Sequence, residues 1–503
     1  MRTLRPLVPL LIFVVLTVSG CARKEAAAPA PDSSASSSSS ASDRTGDGKI
    51  PITTTSPQAK AEFVQARDMV DKLQITNSLE HFRKAIKLDP SFASAELALA
   101  QNSPTGTEFF EHLQKAVALA DKVSDGERLL ILAQQAAANN DVVQQKQYLD
   151  QLLAAYPGDE RANFAMAAWD FGQQDYPRAL EHYRKATEIN NTFSTAYNLM
   201  GYAYRQSNQF SDAEKAFQRY IELIPNDPNP YDSYAELLLK MGRFDDAIAQ
   251  YRKALAIDPN FLNAYQGIAM ALLYQGKEKE AAAELENIAS KARTDGERRT
   301  GMFAETVVLV DSGKATQALA SLDEQYALGQ KTSDVGAMAF DNTLKGNVLL
   351  NMGKPDQAKK EFEAGAALIQ ASNLSSEIKA NNRLVSHFNL ARVALARKDL
   401  AAAKAEALEY RTGAAASKNP FQPRQAHELD GTIALAEKNW DEAIAQLQQS
   451  NLQNPQNLYR LCQAYEGKGD AAKAADFCKQ AADFNSLPNL NYAFIRAKAG
   501  KAA

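Results

Sequence analysis

Three cysteines and five histidines stand in a chain of 503 residues, few enough to follow one by one. A thiol can ligate a metal, attack an electrophile, pair with a second thiol or carry an acyl group, and its spacing decides among these. Cys21 ends an apolar run near the N-terminus, while Cys462 and Cys478 sit near the other end; there is no C-x-x-C. His81, His112, His182, His387 and His427 are scattered singly, and no H-E-x-x-H places two on one helix face. G-x-S-x-G and G-x-x-x-x-G-K-[ST] are both missing. The stretch "GQKTS" at 329–333 lacks the upstream glycine and the Gly-Lys order of a phosphate loop. Asp245 and Asp246 pair two carboxylates, but they open a helix, where negative charge suits the dipole. These residues predict a protein that is not an enzyme and holds no metal or cofactor.

Cys21 has its own context. Arg2 and Arg5 precede the apolar run Leu7–Val18, and Ser19 and Gly20 lead into the cysteine. That is the three-part build of a secretory signal over 1–20, too short for a stable membrane span, which takes about 20 apolar residues. The ending V-S-G-C resembles the lipobox of bacterial lipoproteins. The resemblance implies that Cys21 is acylated on sulfur and becomes the new N-terminus. Ala22 follows rather than an aspartate, which implies the outer membrane where the cell has one. Residues 21–57, rich in Ser and Ala, then form a disordered tether spanning roughly 30–36 Å. The formal net charge is −4, so nothing suggests nucleic acid, and the only expected membrane contact is the lipid.

The elements that must position everything else are helices in pairs. "EHFRKAIKLDP", "EHYRKATEINN" and "AQYRKALAIDP" recur, and Asn191, Pro225 and Pro259 are spaced by 34. A fixed period in helical sequence means stacked helix pairs. Segment 228–261 carries Tyr231, Ala235, Leu238, Ala247, Tyr251, Ala254 and Pro259 at repeat positions 4, 8, 11, 20, 24, 27 and 32. This pattern resembles the tetratricopeptide repeat. Small residues at 8 and 20 let the paired helices approach, larger ones at 11 and 24 fill the gap, and the proline stops the second helix. Segments 59–92, 160–193, 194–227 and 262–295 keep most of these positions, and weaker copies continue towards 488. The fold expected is all-α, a right-handed superhelical solenoid of about twelve helix pairs. Its regular array spans 58–295 and its degenerate array 296–489, with a capping helix at 490–503.

Two site expectations follow from the repeat register. Cys462 and Cys478 fall at positions 8 and 24 of the last repeat, facing across one pair. In an oxidising compartment they form either a disulfide or two buried thiols. Positions 2, 5, 9 and 12 of each first helix share another face. In the three most regular repeats that face carries Asn198, Tyr202 and Arg205, then Asn229, Asp232 and Glu236, then Asn263, Gln266 and Met270. In the resembling family this face lines a groove for extended peptides, so these nine residues are the expected partner-binding groove. They lack the Lys and Asn set of carboxylate-clamp repeats that hold chaperone C-termini. The function expected is a lipid-anchored scaffold for protein or peptide partners in the bacterial cell envelope. The competing reading, a carbohydrate-handling or enzyme-associated lipoprotein, requires a polar pocket within 290–340 or 370–425.

Overall fold

Each pair closes where one helix has no side chain to spare. A Cβ added at Gly201 would sit 2.7 Å from Phe217 Cε1, and one at Gly431 2.7 Å from Leu447 Cγ. Gly346 meets Phe362 in the same way. All three are position 8 against position 24 of one repeat, the contact that the sequence pattern predicts. The computed structural model describes residues 48–502 apart from 73, 104–105, 140, 375 and 416–420. Cys21, the signal segment and most of the expected tether lie outside the described residues.

Contacts divide the chain into two units, one up to Pro230 and one from Tyr231. The first unit holds α1 (Pro57–Asp71), α2 (Ile75–Leu88), α3 (Ala93–Asn102), α4 (Gly106–Leu119) and α5 (Asp125–Ala138). It continues through α6 (Val142–Ala155), α7 (Glu160–Gly172), α8 (Tyr176–Ile189), α9 (Ser194–Gln206) and α10 (Phe210–Leu223). Helix α11 (Pro228–Lys240) begins at the boundary. The second unit continues with α12 (Phe244–Ile257), α13 (Leu262–Tyr274), α14 (Glu278–Lys291), α15 (Asp295–Asp311) and α16 (Ala315–Lys331). There follow α17 (Val335–Asn351), α18 (Pro355–Ala371), α19 (Ser376–Ala396), α20 (Leu400–Ala415) and α21 (Phe421–Ala436). The last are α22 (Trp440–Leu447), α23 (Pro455–Lys468), α24 (Ala471–Ala482), α25 (Leu490–Ala493) and α26 (Arg496–Ala502). Helices α1 to α24 make twelve consecutive pairs, and the described residues contain no strand. The fold is an all-α solenoid of tandem helix pairs. No described helix is long and apolar enough to cross a membrane.

The weakening of the repeat after residue 295 has a simple geometric origin. The turn inside each pair takes a left-handed residue: Gln174, Asn208, Gly242 and Gly276, at steps of 34. The next such residues are Gly313, Gly353 and Lys398, at wider steps. Helices α9, α11 and α13 have 13 residues each, whereas α15, α16, α17 and α18 have 17. Four added residues are about one helical turn, so the buried face survives while the register slips. Aspartates cap many helix starts, as Asp159 does for α7, Asp175 for α8 and Asp334 for α17.

Both ends of the described chain fold back over their own unit. Residues 48–56, assigned to the tether by composition, cross the ends of the first helix pairs. Lys49 Nζ lies 2.5 Å from Glu160 Oε2, and the Ile50 amide donates to Asp159 Oδ2 at 3.0 Å. The Thr53 amide donates to Glu127 Oε1 at 3.0 Å, and the Thr54 hydroxyl donates to Asp89. Ile50 packs with the core around Leu149, Leu152 and Tyr156, and Ile52 with that around Phe63 and Phe82. At the other end, Phe484 O accepts from Lys240 Nζ at 2.7 Å and Ser486 O from the Tyr274 hydroxyl at 2.6 Å. Arg496 pairs with Asp311 through two nitrogens.

Candidate functional site

Most residues of the expected groove are buried. Asn198, Tyr202, Asn229, Asp232, Glu236, Gln266 and Met270 are buried, and only Arg205 and Asn263 keep partial exposure. Local packing explains part of this. Tyr202 stands edge-on to Phe217 of α10 with ring centroids 5.3 Å apart, and the Arg205 guanidinium lies 4.7 Å from its ring. The Asn229 amide donates to the Tyr220 hydroxyl at 3.1 Å. Helix α13, LNAYQGIAMALLY, is apolar nearly all round and has eleven of its 13 residues buried. A helix of that composition is covered on every side, a signal that the repeat register masked. Asp232 and Glu236 lie one turn apart on α11, both buried. Burial, with the Glu236 charge beside it, pushes the Asp232 carboxyl well above the usual range.

The histidines serve their own helix pairs. His81 bonds Glu62 at 2.6 Å, His112 bonds Glu96 at 2.6 Å, His387 bonds Glu406 at 2.7 Å and His427 bonds the Gln446 amide at 2.6 Å. His182 lies 3.7 Å from Asp170. Each joins a first helix to a second. Among the described residues, the one His, Cys, Asp and Glu cluster tight enough for an ion is Cys462, Glu466 and Cys478. Its two sulfurs are joined to each other as a disulfide, with Cα atoms 5.1 Å apart, and so are not thiolate ligands. The two cysteines are 16 residues apart and hold the positions that Gly201 and Phe217 hold in their repeat.

A polar cavity of about 260 Å³ lies in the second unit. Helix α17 lines it with Asn347, Leu350 and Asn351, α19 with Arg392, and α23 with Gln456, Tyr459, Arg460 and Gln463. The C-terminal segment closes it with Phe494, Ile495 and Lys498. Arg392 Nη1 donates to Asn347 Oδ1 at 2.8 Å and to Asn389 Oδ1 at 3.3 Å. Arg460 Nη1 meets Glu428 Oε1 at 2.8 Å and Asn457 Oδ1 at 2.6 Å. Lys498 Nζ donates to Asn351 Oδ1 at 3.2 Å. Burial lowers the Arg392 pKa to about 10; Arg460 adds to the fall and Glu428 opposes it. Sequence reasoning missed this site, because its cations come from three separated segments that share no spacing. Of the two stretches where a pocket would favour a carbohydrate-handling or enzyme-associated protein, only 370–425 contributes, with Arg392 alone.

Residues 170–237 and 238–300 match the tetratricopeptide repeat family, TPR_19. Among solved structures, MamA is 24% identical, covering 32% of this chain and 94% of its own, with a TM-score of 0.29. MamA from Desulfovibrio magneticus RS-1 is 16% identical, covering 34% and 96%, with a TM-score of 0.31. The Cut9-Hcn1 hetero-tetramer of the APC/C is 16% identical over 84% of this chain and 76% of that one, with a TM-score of 0.40. No curated protein matches the chain. The helix pairs of the chain thus include tetratricopeptide repeats between residues 170 and 300.

Proposed function

We propose that this chain is a lipid-anchored scaffold of the bacterial cell envelope that holds a protein or peptide partner on its helix-pair array. The observation that carries the reading is the array itself: twelve consecutive pairs, with tetratricopeptide repeats at their centre. Stacked helix pairs offer surfaces whose specificity lies in side chains rather than in a catalytic constellation. Anchoring rests on V-S-G-C at 18–21 alone. Cys21→Ala is expected to remain unprocessed or to leave the membrane fraction; membrane retention after a high-salt wash, with mass unchanged from wild type, refutes the anchor. Crosslinking in intact cells followed by pull-down tests the scaffold, which predicts a reproducible partner that survives stringent washing. The buried first-helix face makes the combined Tyr202→Ala, Glu236→Ala and Gln266→Ala variant a packing lesion as much as a binding one. Its melting temperature is expected to fall, so partner capture is better mapped with exposed residues.

A further inference from the structure

We propose that the cavity among α17, α19, α23 and α26 binds a small oxyanion, a carboxylate or phosphate group, between Arg392 and Lys498. This proposal does not rest on the scaffold reading. The first argument is charge. Three cations line the cavity and no carboxylate does, in a chain whose net charge is −4. Of the three, Arg460 is neutralised by Glu428. Among the described residues, the hydrogen bonds of Arg392 and Lys498 go to asparagine side-chain oxygens, and the Arg392 guanidinium also lies 5.7 Å from the Phe388 ring.

The second argument is cost. A guanidinium drawn out of water without a counter-charge is unfavourable, and an anion in contact relieves it. Arg392 approaches that condition: Glu428, already paired with Arg460, offsets only part of the burial, and the pKa stays lowered. Protein chains usually meet such a need with an aspartate or glutamate on a neighbouring helix. Here the neighbours supply Asn347 and Asn389, which orient the guanidinium without cancelling its charge.

The third argument is geometry. Asn347 and Asn351 are four residues apart on α17, which places them roughly 5–6 Å from each other. Each accepts from one cation, Asn347 from Arg392 and Asn351 from Lys498, so both positive groups are held at the wall that α17 gives the cavity. Gln456, Gln463 and the Tyr459 hydroxyl supply further donors that suit oxyanion oxygens. Lys498 is exposed and gives the ligand a solvent-side contact.

Calorimetric titration of the full chain with inorganic phosphate and with succinate, at constant ionic strength in chloride, tests the site. Saturable binding of at least one is expected, with affinity lowered tenfold or more by Lys498→Gln and by Arg392→Gln. Binding of phosphate alone or of succinate alone identifies the source of the oxyanion. Lys501→Gln removes an exposed charge on the same helix that does not line the cavity, and should leave binding intact. Should Arg392→Gln fail to fold, Lys498→Gln decides, since that side chain is on the surface. The proposal falls if neither ligand binds folded protein up to about 10 mM, a free energy near −3 kcal/mol. It falls equally if Lys501→Gln weakens binding as much as Lys498→Gln, or if Lys498→Gln has no effect.

Discussion

The two ends of the described chain use the same device with opposite charge balance. In the first unit, residues 48–56 bring an ammonium, two amides and two hydroxyls to Glu160, Asp159, Glu127 and Asp89. Every one of these carboxylates receives a donor. In the second unit, the segment after α24 also crosses helices more than a hundred residues away. It satisfies Asp311 through Arg496, yet it carries Lys498 to a cavity that already holds Arg392 and contains no acid. The first end completes a set of charges, and the second leaves one incomplete. A terminal segment that neutralises what it touches is structural. One that adds a cation to a desolvated cation leaves room for a ligand to complete the site.

The contrast can be broken most forcefully at Arg496. Asp311 keeps only 3% of its side-chain exposure, so Arg496→Ala leaves a buried carboxylate without its partner. The expected loss is about 3–5 kcal/mol, read as a lower melting temperature and early proteolysis of 484–502. Asp311→Asn combined with Arg496→Gln should recover part of it, because no charge is then stranded. A wild-type melting curve for Arg496→Ala would show that the C-terminal segment is held by other means.

The disulfide gives the next largest effect. It joins α23, which lines the cavity, to α24, closing a loop of 16 residues. A loop of that size contributes about 3 kcal/mol in the chain-entropy account. Reductant should therefore lower the melting temperature of the purified protein, and the double Cys462→Ala and Cys478→Ala variant should match the reduced form. Two free thiols in unfolded, unreduced protein would remove the bridge from the comparison.

At the N-terminal end, Glu127 accepts from the Thr53 amide and hydroxyl, from Ser94 and from Ser124. Glu127→Ala should cost about 1.5–3 kcal/mol, as hydrogen bonds to a charged group do. Amide exchange at Ile50 and Thr53 should quicken, while phosphate or succinate binding in the second unit stays as it was. A coupled loss of both would mean that the two ends are not independent devices.

How much of this was legible in the sequence depends on the range of the contact. The pairing of Gly201 with Phe217, and of Cys462 with Cys478, follows from repeat positions, because both partners lie inside one period. The twelve pairs were readable for the same reason, even where longer helices shifted the register. The burial of the first-helix face was half visible: α13 has almost no polar side, but position numbers borrowed from the repeat pattern hid that. The folded-back ends were not legible. Ile50 to Asp159 and Tyr274 to Ser486 are single hydrogen bonds across more than a hundred residues, and no periodicity encodes them. The Arg392 site was lost with them, since Lys498 reaches it only through that fold-back.

The smallest effect expected sits inside one helix and tests the same rule at close range. Glu160 and Asp170 are at opposite ends of α7. Burial pulls the Glu160 carboxyl upward, but Lys49 and a backbone amide outweigh it and hold it below its usual range. Asp170 is fully buried, and neither of its oxygens has a hydrogen bond among the described residues; the His182 ring and the Arg178 guanidinium are 3.7 and 3.9 Å away. Burial therefore raises its pKa. The signs are opposite. Glu160, lowered on folding, adds stability above its unfolded pKa of about 4.3 and loses it as pH falls through the folded value. Asp170, raised on folding, costs nothing below its unfolded pKa of about 3.9 and costs more as pH rises through its folded value. Asp170→Asn should thus raise stability at pH 7 by on the order of 1 kcal/mol, the scale of a buried unsatisfied group. The advantage should shrink as the pH falls and vanish below about 3.9. Melting temperatures of the two proteins, measured across that range, give the answer. A difference that stays constant with pH would assign the effect to packing and not to the stranded charge.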